Sequence, residues 1–142
     1  MKINIFHFLV ASGTGEPTSG RTKHVFKNKT EYSVAVIGYN DVEPAYSFEL
    51  LSEDEHEVVM PAVDGANNGP FRSPIFQPHD SVLVYYADTL VIHFDIGRLD
   101  GNPMRISNYQ LIEAETEPYI YLFEFTNEDY ERALERGRAV SP

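Results

Sequence analysis

The sequence contains no cysteine and no tryptophan. Without cysteine there is no disulfide scaffold, no thiolate zinc site and no cysteine nucleophile. Basic side chains are also scarce: 11 Lys and Arg stand against 22 Asp and Glu, a formal net charge of −11 over 142 residues. Nucleic-acid backbones are held by Lys and Arg that displace counterions, so this balance excludes nucleic acid as a partner. It equally opposes docking on an anionic membrane surface. Long apolar runs are missing too. The stretch from Ile3 to Ala11 is nine residues long and broken by Asn4 and His7, about half of what a membrane-spanning helix requires. No transmembrane span is therefore expected.

What is present is ordinary globular material, 42% hydrophobic and 13% aromatic, richer in aromatic and β-branched residues than disordered chains are. A chain of this length folds as one domain, burying roughly two-thirds of the surface its unfolded form exposes. At the N-terminus, Lys2 precedes the apolar stretch and Ala11-Ser12-Gly13 supplies small residues, the pattern of a degenerate export signal. Leu9-Val10-Ala11-Ser12 looks like a bacterial lipobox with serine where the lipidated cysteine would stand. Serine cannot form the thioether, so lipid anchoring is not expected. The alternative is that Ile3 to Val10 is a first β-strand. Ser12 to Arg21, rich in Gly, Ser and Thr, reads as a tether. The expected division is a leader or tether over 1–21 and a single domain over 22–142.

The body reads as strands. In Thr30 to Tyr39, Tyr32, Val34 and Val36 share one face while Ala35 and Ile37 take the other; period two with β-branched residues predicts a strand. Tyr46, Phe48 and Leu50 align within Ala45 to Leu51, and His56 to Met60 forms a short strand after an acidic tip. Ser81 to Ala87 and Thr89 to Phe94 read as an antiparallel pair turning at Asp88. Asn108 to Ile112 is weaker, and Tyr119 to Phe125 is strong, with Tyr119, Tyr121, Phe123 and Phe125 on one side. Short strands punctuated by Gly, Pro, Asn and Asp predict an all-β antiparallel β-sandwich, immunoglobulin-like or transthyretin-like. One short C-terminal helix follows. Thr126 and Asp129 have capping-box spacing, Tyr130, Ala133 and Leu134 share a face, and Gly137 is the expected stop. Pro61 to Asp80, with four prolines, reads as a long loop.

Three segments together carry a family resemblance. They are Asn28-Lys29-Thr30-Glu31-Tyr32-Ser33-Val34, then Asp80 to Tyr86 with Leu90 to Phe94, and Tyr119-Ile120-Tyr121 with Phe125 to Ala133. Over roughly residues 28–133 the chain resembles small lipoproteins of gut Bacteroidota. That resemblance implies export to the cell envelope or beyond and a β-rich domain without assigned catalytic residues, Asn28 to Val34 being its opening strand. Ser12 departs from the family's lipidated cysteine.

Chemistry-bearing patterns are sparse. His79-Asp80-Ser81 holds the residue types of a hydrolase triad, but neighbours on an extended chain point to alternating faces and cannot form the relay. His7, His24, His56, His79 and His93 lack metal-ligand spacing. Asp95 to Asn102 and Asp64 to Asn68 lack the alternating carboxylates of a calcium loop and read as turns. No metal and no cofactor is therefore expected. The Glu49 to Glu57 run reads as a solvated tip, and paired carboxylates remain the one catalytic possibility that spacing leaves open. Binding is the better reading. Tyr85 and Tyr86 lie on opposite faces, so one points outward, and Phe71, Arg72 and Phe76 sit in the Pro-rich loop. The expected function is a non-catalytic envelope or secreted module, monomeric, contacting a protein or glycan. The alternative is a carbohydrate-binding module using those tyrosines and the 61–80 loop.

Overall fold

A computed structural model describes residues 20–60, 80–95, 97–98 and 100–140, with side chains described except at Asp80 and after Arg136. Eight strands are described: β1 (Thr22–Asn28), β2 (Val34–Asn40), β3 (Glu43–Leu50), β4 (Glu55–Met60), β5 (Asp80–Tyr86), β6 (Leu90–Phe94), β7 (Gln110–Glu113) and β8 (Tyr119–Phe125). A single 3-10 turn, Ile106–Asn108, precedes β7, and helix α1 (Asn127–Val140) ends the described chain. The strands form two four-stranded sheets, ordered β4-β1-β8-β7 (sheet A) and β3-β2-β5-β6 (sheet B). Their inner faces pack together, with Phe26 of β1 against Phe48 of β3 at a ring separation of 4.9 Å. The chain is an all-β sandwich with one C-terminal helix.

Alternation builds the core as expected. Val34 and Val36, Phe48 and Leu50, Val82, Val84 and Tyr86, Ile92 and Phe94, and Tyr121, Phe123 and Phe125 are all buried. The β5–β6 connection turns on Ala87 (φ 54°) and Asp88 (φ 62°). Two successive positive φ values give the tight hairpin whose twist matches its strands.

Three features depart from the sequence expectation. First, Thr22–Asn28 is a central strand that periodicity does not reveal, because polar Thr22, His24 and Asn28 occupy its inward positions and are fully buried. Second, β1 pairs parallel with β8 while every other described pair is antiparallel. That pairing is non-local and leaves no turn signal. Third, Asn28 to Val34 is not an opening strand: Lys29 to Ser33 is a turn between sheets.

Asn28 is the reason for that turn. Its Nδ2 donates to the carbonyls of Tyr32 (2.7 Å) and Leu50 (3.2 Å), and its Oδ1 accepts from the amide and hydroxyl of Thr30. Ser52 Oγ donates to the Thr30 carbonyl, so the β3–β4 crossing is fastened to the same knot. Asn102, also fully buried, does the same for the β6–β7 connection. It donates to the carbonyls of Asp95 and Arg98 and accepts from the Met104 amide. Each side chain supplies bonds that the irregular backbone would otherwise lack.

Helix α1 begins where expected. The Thr126 amide donates to Asp129 Oδ2 (2.8 Å) and the Asp129 amide to Thr126 Oγ1 (3.3 Å), a capping box with aspartate in the acidic position. Ala133 is fully buried, and Tyr130 stacks on Tyr32 at 4.1 Å and meets Tyr86 edge-on. Gly137 does not stop the helix, which continues to Val140. The readings for residues 1–19, the loop at 61–79 and the turn at 64–68 lie outside the described residues.

Candidate binding surface

The central strands of sheet B carry apolar residues on both faces. Register places Glu49, Ala35, Tyr85 and Val91 in one row across its outer face. Ser47, Ile37, Leu83 and His93 form the next row, followed by Pro44, Tyr39 and Ser81. Ala35, Ile37, Tyr39, Leu83 and Tyr85 are half-buried and Val91 is 45% exposed. The four strands of this sheet contain no Lys or Arg. Around them stand exposed carboxylates: Asp41 and Glu43 at the β2–β3 turn, Glu49 on the edge strand, Asp88 at the β5–β6 turn, and Asp95 after β6. An antiparallel sheet with one wet face alternates apolar and polar residues. Here β2 and β5 keep apolar residues at outward positions too. That double apolarity was the available sequence signal for the surface.

The edge beside β3 is closed by aromatic contacts between the sheets. His56 of β4 stacks on Phe48 at 4.4 Å, and its Nε2 lies 3.2 Å from the Tyr46 hydroxyl. Burial pushes the Tyr46 phenol up to about 12, since a phenolate would lose its water. Tyr86 is shifted the same way by burial, with the Asp129 carboxylate adding to it. The exposed Tyr32 phenol is raised chiefly by its hydrogen bond to Tyr130, and charge interaction with that residue adds to the effect.

The predicted residues therefore separate. Tyr85 lies on the outer face of sheet B, whereas Tyr86, 2% exposed, belongs to the core. Tyr86 is thus corrected from a candidate ligand contact to a packing residue: alternation made one tyrosine outward, and the inter-sheet space selected which. Phe71, Arg72 and Phe76 lie outside the described residues. His93 is exposed on the outer face, His56 clamps the sheet edge, and His24 stacks on Tyr121 inside. Asp95 to Asn102 is organised by Asn102 as a turn. Among the described residues, no group of three or more His, Asp or Glu is arranged to hold a metal ion, and no helix is long and apolar enough to cross a membrane. Sequence reasoning missed Ile37, Tyr39 and Leu83 as parts of a surface.

Compared with known proteins, the chain matches no family model, no curated protein and no solved structure.

Proposed function

We propose that this chain is a non-catalytic binding module of the cell envelope or the secreted space, and that it docks a protein through the outer face of sheet B. The envelope setting rests on the resemblance over residues 28–133. The observation behind the binding reading is the apolar, cation-free face centred on Ile37, Leu83 and Tyr85 with carboxylates around it. Four strands about 4.8 Å apart and three rows about 7 Å apart give the face a footprint of roughly 300 Å², with Glu49, Ser47, His93 and Ser81 at its margins. This footprint is well below the area each partner of a stable interface buries, near 800 Å², so the acidic rim must take part. The complementary surface is apolar at its centre and basic at its edge. A second copy of this chain would bring two acidic rims together, which opposes face-to-face pairing.

The carbohydrate reading has one observation in its favour: Tyr39 and Tyr85 share this face, and tyrosine offers a flat apolar body with a polar tip. Site-specific photo-crosslinking in the native host separates these readings. A crosslinker at position 85 or 37 should give a discrete protein adduct that falls at least tenfold with Leu83→Asp and weakens in high salt. One at position 113, on sheet A, should give none. Equal adducts from both faces, or none from sheet B, would overturn the proposal. Self-adducts would point to a second copy, and loss of adducts only with added oligosaccharide to a glycan ligand.

A further inference from the structure

Helix α1 carries Arg132 and Arg136, and the connection that holds Arg98 is seated against it, close enough for Arg98 to act electrostatically on Arg136. Arg132 and Arg136 are one helical turn apart and so lie on the same face. Arg98 comes from the β6–β7 connection, where the fully buried Asn102 holds its carbonyl at 2.6 Å. Gly101 seats that connection against the helix. Its backbone is left-handed (φ 67°), and a Cβ there would fall 2.5 Å from Asp129 Oδ1 and 2.7 Å from Arg132 Nη1. The left-handed φ favours glycine, and a larger side chain would have to displace the ends of Asp129 and Arg132.

The charges in this corner are unevenly matched. Arg132 Nη1 donates to Asp129 Oδ1 at 2.8 Å, and Asp129 Oδ2 is occupied by the Thr126 amide and hydroxyl. Asp129 is thus engaged on both oxygens by Thr126 and Arg132. Arg136 Nη1 is buried and hydrogen-bonded to nothing among the described residues. A buried charged donor without an acceptor is costly. The guanidinium is held below its ordinary pKa by burial first, then by Arg98 and Arg132, with Asp100 opposing.

We infer that Arg98, Arg132 and Arg136 form a binding site for a small oxyanion. Guanidinium forks match the paired oxygens of a phosphate or carboxylate, which would satisfy Arg136 Nη1 and relieve the repulsion among the three cations. The site is separate from the outer face of sheet B and does not depend on its function.

The test is a titration of the full chain with inorganic phosphate and, separately, succinate, followed by amide and arginine Nε–H NMR shifts against a sodium chloride control. Saturable shifts confined to residues 98–101 and 132–136 are expected with at least one anion, and the saturating probe identifies its chemistry. Arg136→Gln should weaken that binding at least tenfold. Arg98→Gln, in the connection rather than the helix, should do likewise should the first variant fold poorly. Lys27→Gln, on sheet A, should change nothing. Shifts that never saturate, that match those of chloride, or that persist unchanged in both arginine variants would overturn the site.

Discussion

The outer face of sheet A carries ion pairs, Lys23–Glu57 at 3.2 Å and Lys27–Glu55 at 3.9 Å, with Lys29–Glu124 just beyond the end of β1. The outer face of sheet B, built from strands of the same kind, carries no Lys or Arg and presents Ile37, Leu83, Tyr85 and Val91. Inside, the contrast reverses. Sheet A buries Thr22, His24 and Asn28 beside its aromatics, whereas the inward residues of sheet B are almost wholly apolar. A sandwich needs one apolar face per sheet. Sheet A spends polar residues on order, inside through Asn28 and outside through charge pairs that stand among Val25, Val59, Ile120 and Leu122. The outer face of sheet B carries apolar residues with no such charge pairs among them, and the proposed docking surface rests on that difference.

The sharpest test of the contrast lies inside sheet A. Asn28→Ala removes the side-chain bonds to Tyr32, Leu50 and Thr30 and leaves buried backbone groups unpaired, so urea unfolding should show a loss of about 3 kcal/mol. A loss below 1 kcal/mol would mean that the turn holds itself without this knot.

Next comes alkaline stability, which the two displaced phenols assign to sheet B. Tyr46 and Tyr86 have folded pKa values above the unfolded value of 10. Their contribution is therefore complete below pH 10 and is lost as pH rises, that of Tyr46 through about 12, because the unfolded chain releases those protons first. Unfolding free energy measured across pH 9–12 should decline, and Tyr46→Phe should flatten the decline. A profile identical in wild type and variant would remove Tyr46 from that account.

On the outer face of sheet B, Leu83→Lys should alter stability by no more than about 1 kcal/mol while abolishing crosslinks from position 85. Collapse of the fold instead would show that the face is structural. The smallest effect belongs to the exposed pairs of sheet A. Lys23→Gln should cost about 0.5 kcal/mol or less, fading in high salt. A cost several times larger would make those pairs more than a solvated face.

Much of this organisation was legible before any coordinates. β2, β3, β5, β6 and β8 announce themselves because their inward positions are all apolar, and Thr126 with Asp129 marks the helix start. β1 stayed hidden because its inward positions are Thr22, His24 and Asn28, whose polarity imitates a loop. Gly137 misled because a glycine that is a stop signal near a helix end is tolerated within one at modest cost. The arginine cluster was invisible for another reason. Arg98 is 34 residues from Arg132, and only the seating of Gly101 on the helix brings them together.

By itself the sequence determined the class of fold, the position of most strands and the cap of the helix, because these follow from periodicity and from bonds between near neighbours. Only the tertiary structure decided that β1 runs parallel to β8, that Tyr86 turns inward while Tyr85 faces out, and that Ile37 and Leu83 join one surface. Those choices depend on which distant strands share a ladder and which side of each is closed by the opposing sheet. Local alternation sorts side chains into two sets without saying which of them will meet water.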